Sequence, residues 1–223
     1  MIPRLVIFDC DGVLMDSEVV SSRVVAADLT GRGLLTTPSE AMRQYVGVSL
    51  MDMKPRVEAE LGHALPADWF SEMTRKIAEA MEAGVEPVEG AREILERLNA
   101  MGVRWRIASN SADLEMEAKF GRTGFTGLVA GRTHSAPRLF ASGGRPKPAP
   151  DVFLDAARAE GVRPEDCAVV EDSVPGVKGA VAAGMTAIGF DPAGDGAHLT
   201  RAGAHHILQK LSDLPLLLRL EAA

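Results

Sequence analysis

The sequence predicts an α/β protein, a doubly wound parallel sheet core interrupted behind its first strand by an all-helical insertion. Three observations carry that expectation. Residues 5–8 form a short, wholly apolar run bounded by a turn signal, which reads as a strand buried on both faces. From Val85 onward, strand-like and helix-like segments alternate, which requires parallel strands with helices over both sheet faces. Between Glu18 and Val85 helical patterns follow one another with no convincing strand. The combination is a Rossmann-like core carrying an inserted helical unit.

Taken in order, residues 18–30 read as an amphipathic helix that stops near Gly31 and Gly33. Helical patterns follow around 38–45, 50–61 and 67–83, with Pro38 and Pro66 as starters. Pro87–Met101 reads as a helix with Ile94, Leu95, Leu98 and Met101 on one face, closed by Gly102. Residues 103–108 read as a strand, 112–120 as a helix and 128–130 as a weak strand. Residues 135–149, rich in Gly and Pro, read as a loop. A helix over 151–160, a strand over 167–170, a helix over 174–183 and strands at 185–190 and 206–208 complete the alternation. The last leucines, Leu211 to Leu220, read as a docking helix. Trp69 and Trp105 fit packing roles, and His134 reads as an exposed loop residue.

Bulk properties narrow the function classes. Hydrophobic content of 46% with 25% charged residues is ordinary for a soluble globular chain. A net charge of −7 argues against a nucleic-acid surface and for cytoplasmic solubility. Cys10 and Cys167 each lie in or beside a buried strand, so free thiols are expected rather than a disulfide framework. No leader pattern precedes the first strand, and the apolar stretches fall short of a membrane span.

The chemistry concentrates where strands end. The run Leu5-Val6-Ile7-Phe8 passes into Asp9-Cys10-Asp11-Gly12. Carboxylates at i and i+2 on an extended backbone point the same way, so Asp9 and Asp11 converge as the strand leaves the sheet. Two such anions repel unless a cation sits between them or one stays protonated. That suits a magnesium ion with a nucleophile and an acid/base pair, and nothing about packing a sheet requires it. This motif resembles the signature of the haloacid dehalogenase superfamily, most of whose members are magnesium-dependent phosphatases. The resemblance implies that Asp9 attacks phosphorus and becomes an aspartyl phosphate. It further implies that Asp11 protonates the leaving alcohol and then activates water. Dehalogenases proper lack an acid at the second position, and its presence favours phosphoryl transfer.

Three further motifs match the family in order. Arg106-Ile107-Ala108-Ser109-Asn110-Ser111 ends a strand in small polar residues. By resemblance Ser109 binds a phosphoryl oxygen with help from the Asn110 backbone N–H; read alone, the triplet is a helix cap. Arg145-Pro146-Lys147-Pro148-Ala149-Pro150-Asp151 holds a lysine between prolines, which restricts the backbone that aims it. The resemblance makes Lys147 the charge on the transferring group. Cys167-Ala168-Val169-Val170-Glu171-Asp172 again ends a strand in acids. By resemblance the magnesium ligands are Asp9, Asp172 and the backbone carbonyl of Asp11, with Glu171 orienting bound water from behind.

The helical insertion is similar to the type 1 cap of this superfamily. The implied catalytic core is 1–16 with 86–223, and the cap is 17–85. In relatives resembling β-phosphoglucomutase and small sugar-phosphate phosphatases, the cap loop that faces substrate falls at Gly47, Val48 and Ser49. The mutase carries an arginine next, where this chain has Leu50. The expected function is therefore magnesium-dependent hydrolysis of a small phosphomonoester, a sugar or sugar-acid phosphate, by a monomer or weak homodimer. The rivals are a sugar phosphomutase, a dehalogenase that needs neither magnesium nor Asp11, and a phosphosugar-binding protein without catalysis.

Overall fold

The computed structural model describes residues 2–220. Strand β1 (Leu5–Phe8) and a two-residue β2 (Met15–Asp16) precede four helices: α1 (Glu18–Gly31), α2 (Pro38–Tyr45), α3 (Leu50–Leu61) and α4 (Trp69–Gly84). The chain returns through β3 (Glu86–Pro87), α5 (Ala91–Ala100), β4 (Trp105–Ser109), α6 (Asp113–Thr123), α7 (Thr126–Val129), β5 (Thr133–Ser135) and α8 (Ala136–Leu139). It finishes with α9 (Asp151–Ala159), β6 (Cys167–Glu171), α10 (Val174–Ala182), β7 (Thr186–Phe190), α11 (Ala197–Ala202), β8 (His206–Leu208) and α12 (Leu214–Leu217).

Six strands form one parallel sheet in the order β5-β4-β1-β6-β7-β8. From β1 the chain winds outward to β4 and β5, then crosses back to β6 on the other side. The switch point of the doubly wound sheet thus lies at β1, where open α/β sheets bind ligands. Strand periodicity divides the core into two layers. In β1, Val6 and Phe8 join the layer beneath α5, α6 and the cap, whereas Leu5 and Ile7 join the layer beneath α9 and α10. All four side chains are fully buried, which is why the run lacks the polar alternation of a half-exposed strand.

The helices between 18 and 84 form the cap. Asp28 ties α1 to α4: its carboxylate takes Arg32 Nε at 2.7 Å, Trp69 Nε1 at 2.9 Å and Lys76 Nζ at 3.1 Å. A capping box at Thr37 and Glu40 starts α2. Helix α4 packs against α6, so cap and core share a wall.

Several expectations need correction. Residues 128–130 are not a strand: the carbonyl of Phe125 takes the N–H groups of Leu128 and Val129, closing the single turn of α7. Three apolar residues are too few to carry a period. The edge strand is the polar Thr133–Ser135, in register with Ile107–Ser109. The helix expected from Pro87 begins only at Ala91, because Pro87 pairs with Met15 and Glu86 with Asp16 in a short antiparallel ribbon. Two-residue strands leave no periodic trace in a sequence. The 135–149 segment is not all loop; it contains α8 and a 3-10 turn over Phe140–Ser142. The terminal leucines dock through Leu211, Leu214 and Leu218, but a 3-10 turn and Pro215 break them into pieces rather than one helix. His134 is buried on β5, with Nδ1 at 2.7 Å from Asp155 Oδ2, and is not an exposed loop residue.

Candidate active site

The carboxyl ends of β1, β4 and β6 bring Asp9, Asp11, Ser109, Asn110, Glu171 and Asp172 together, and the proline-rich loop delivers Lys147 to them. Tightness at the turn after β1 explains Gly12. Its φ is +73°, and a Cβ there would lie 1.9 Å from Asp172 Oδ2. Only glycine lets the first acidic turn close against Asp172, the acid that follows β6.

Two lysines divide the acids between them. Lys147, only 3% exposed, directs its ammonium at Asp9 Oδ1 (2.8 Å), Glu171 Oε1 (2.7 Å) and the carbonyl of Ala108 (2.8 Å), which uses all three donors. Its backbone N–H donates to Asn110 Oδ1 at 2.9 Å, pinning the loop to the end of β4. Although burial disfavours its charge, Asp9 and Glu171 raise its affinity for a proton above the ordinary lysine range. The other oxygen of Glu171 accepts from the N–H and Oγ of Ser173 at 3.0 and 2.9 Å, so both of its oxygens are engaged. Asp9 receives its bonds on one oxygen: Oδ1 also accepts from the Cys10 N–H at 2.7 Å, while Oδ2 accepts none among the described residues.

Oxygens of Asp9, Glu171 and Asp172 lie within 4.8 Å of one another. Burial, then the charge of Glu171, pushes Asp9 and Asp172 well above the usual carboxylate range. One lysine cannot neutralise three carboxylates, and an all-oxygen set of this kind suits a hard divalent cation. The donor set therefore fits a metal. The Asp11 carboxylate is not part of this cluster.

Asp11 turns instead toward Lys119, which is 1% exposed on the inner face of α6. Lys119 Nζ reaches Asp11 Oδ1 at 2.5 Å and Ser111 Oγ at 2.8 Å. Ser17 Oγ also donates to Oδ1, while Ser111 Oγ (2.8 Å) and Ser109 Oγ (3.2 Å) donate to Oδ2. Burial would raise the Asp11 carboxyl, but Lys119 and these hydroxyls hold it down to about 2.

A cleft with a cavity volume of about 130 Å³ opens from these groups to the cap. Gly47, Val48 and Ser49 line it, and Gly47 sits directly against Ser173 of the core. Ser49 Oγ caps α3, accepting from the Asp52 N–H at 3.1 Å and donating to Asp52 Oδ2 at 2.9 Å. Asn110 also lines the cleft, and its buried Nδ2 has no protein partner, a donor left for a ligand oxygen.

Sequence reasoning missed Lys119, Ser111, Glu18 and Glu115. Glu18 lies against Asp172, and Glu115, 6% exposed, is raised to about 7 by burial. Glu115 and Lys119 are spaced i, i+4, the signature of a solvated surface ion pair, which hides a lysine aimed inward. The available signal was Met116 and Phe120, whose apolar pair marks the buried face that Lys119 shares.

The chain is similar to known proteins. A family model for haloacid dehalogenase-like hydrolases matches residues 3–184. The 6-phosphogluconate phosphatase of Escherichia coli K12 is 31% identical over 83% of this chain and 81% of its own length. Hexitol phosphatase A of the same organism is 30% identical over 85% of this chain and 83% of its own. Among solved structures, a haloacid dehalogenase-like protein of unknown function from Agrobacterium tumefaciens superposes with a TM-score of 0.77 at 34% identity, covering 97% of each chain.

Proposed function

The chain belongs to the haloacid dehalogenase-like hydrolases and is a phosphoric monoester hydrolase, and on that premise we propose that it hydrolyses a small sugar or sugar-acid phosphate through an aspartyl phosphate at Asp9. The observation that carries this reading is the division of labour between neighbouring acids. Asp9 is tied on one oxygen by Lys147, whereas Asp11 is held apart by Lys119 and three serines.

In the first step Oδ2 of Asp9 attacks phosphorus in line with the ester oxygen, forming a P–O bond to Asp9 as the bond to the alcohol breaks. Asp11 gives its proton to the departing alkoxide. Its ordinary preference is to be ionised, but a phosphate dianion brought alongside shifts it toward holding that proton. In the second step Asp11 takes a proton from water, whose oxygen attacks the same phosphorus and releases inorganic phosphate, restoring Asp9. Lys147 and the free Nδ2 of Asn110 supply positive charge and a donor to the phosphoryl oxygens, and the Ser109 hydroxyl adds another once it leaves Asp11. A Mg²⁺ ion would be held by Asp9, Asp172 and the Asp11 carbonyl, and would neutralise phosphoryl charge; Glu171, bonded on both oxygens, would orient its water shell.

The test is phosphate release with Mg²⁺, paired with acid quenching. Parent protein should retain phosphate in a hydroxylamine-labile bond, and Asp9→Asn should lose both that bond and turnover while staying folded. Turnover persisting in pure Asp9→Asn protein overturns the assignment.

A further inference from the structure

Resting on the phosphatase reading above, we propose that the leaving group accepted by the cleft is an uncharged alcohol, and that esters carrying a second anion, sugar-acid phosphates and sugar bisphosphates alike, are rejected. The two ends of the cleft differ in chemistry. Among the described residues its cations are Lys119 and Lys147, and both stand at the reacting end, bound to Asp11 and to Asp9 with Glu171. A second anion could recruit either only by dismantling the groups that do the chemistry.

The cap offers no substitute. Lys54 pairs with Glu58, Arg75 with Glu79, and Lys76 with Asp28 and Glu72, while Arg23 and Arg43 are exposed; none of these lines the cleft. Leu50, where the mutase-like pattern has its arginine, is part of an apolar wall with Val48, Phe70, Ile77, Met81 and Phe140. The remaining polar groups on that side favour hydroxyl donors. Ser21 and Ser22 spend their protons on the carbonyls of Glu18 and Val19, which leaves oxygen lone pairs toward a ligand. Glu18, against Asp172, and Glu115, beside Lys119, also line the cleft, so nowhere along it does a second carboxylate or phosphate find a cation that is not already paired. The cavity has room for about four waters at the ~30 Å³ each takes in the liquid, which suits an alcohol of a few carbons. Of the two relatives compared above, one named for a sugar acid and one for a hexitol, the cleft chemistry sides with the hexitol.

The experiment compares matched esters that differ only by CH₂OH against COO⁻: a hexitol 6-phosphate with 6-phosphogluconate, and glycerol 3-phosphate with 3-phosphoglycerate. All are assayed with Mg²⁺, and p-nitrophenyl phosphate is the common reference. The expected result is a kcat/KM favouring the alcohol by about 10-fold or more in both pairs. Leu50→Arg should narrow or reverse the ratio. Acids hydrolysed as well as or better than the alcohols, with the reference ester still turned over, overturns the specificity and leaves the phosphatase reading standing. No turnover of any ester, the reference included, overturns the phosphatase reading and this inference with it.

Discussion

Lys119 Nζ lies 2.5 Å from Asp11 Oδ1, and the two ends of this contact sit in different surroundings. The lysine side chain is 1% exposed, whereas that of Asp11 keeps 30% of its surface open to the cleft. Removing the carboxylate strands a buried ammonium, but removing the ammonium leaves a carboxylate still served by Ser17, Ser109, Ser111 and water. Asp11→Ala should therefore cost about 3–5 kcal/mol of stability, and Lys119→Met, which fills the same space with carbon, clearly less. Thermal unfolding of both variants checks the order. Lys119→Met should also slow hydrolysis of alkyl esters more than that of p-nitrophenyl phosphate, whose leaving group needs no proton. An equal loss on both kinds of ester removes Lys119 from the positioning of Asp11.

The acid cluster makes a prediction about metal. A cation that binds only the folded protein raises its stability, by about 2.7 kcal/mol at one hundred times its dissociation constant. Mg²⁺ should accordingly raise the Tm of the parent protein. Asp172→Ala should lose most of that increase, and Glu171→Ala less, since both Glu171 oxygens already serve Lys147 and Ser173. A larger loss in Glu171→Ala reverses the two roles.

What was legible in the sequence follows from where chemistry meets backbone. Asp9, Asp11, Ser109, Lys147, Glu171 and Asp172 stand at strand ends or between prolines, where no packing demand explains an acid or a lysine. The parallel core was legible because its central strands are apolar throughout, as Leu5–Phe8 and Cys167–Val170 are. The polar edge strand Thr133–Ser135 and the ribbon of Met15 with Pro87 were not, because tertiary pairing alone makes them strands. Lys119 was hidden for a similar reason: only the packing of α6 on the core turns it from solvent to Asp11.

The hub at Asp28 predicts an acid limb in the stability of the cap. Burial would raise this carboxyl, but Arg32, Trp69 and Lys76 hold it below its ordinary value. A folded value below the unfolded one of about 3.9 means that the contribution is fully present above about pH 4. It drains away as the pH falls through the folded value. Asp28→Asn should cost on the order of 2 kcal/mol between pH 5 and 8, with the difference from parent shrinking below pH 4. Tm measured against pH for the two proteins decides it; a constant gap down to acid unfolding rules out this origin.

Gly47 predicts how cap and core meet. Its φ is +72°, and a Cβ there would stand 2.9 Å from Cβ of Ser173, the residue whose N–H and hydroxyl hold Glu171. An alanine at this position carries two separate penalties, roughly 1–2 kcal/mol of backbone strain and a collision with the floor of the site. The collision is relieved by lifting the 46–49 loop away from the core, which opens the cleft to water. Gly47→Ala should therefore lower kcat/KM for polyol phosphates by about 10-fold or more, while p-nitrophenyl phosphate, with fewer cap contacts, loses less. Gly62→Ala separates the two penalties. Gly62 has nearly the same φ, +74°, but nothing within 4 Å of its added Cβ. That variant should lose a similar amount of stability and keep its activity. If both substitutions depress turnover alike, strain within the cap is the cause, and the contact between Gly47 and Ser173 is not what closes the cap over Asp9.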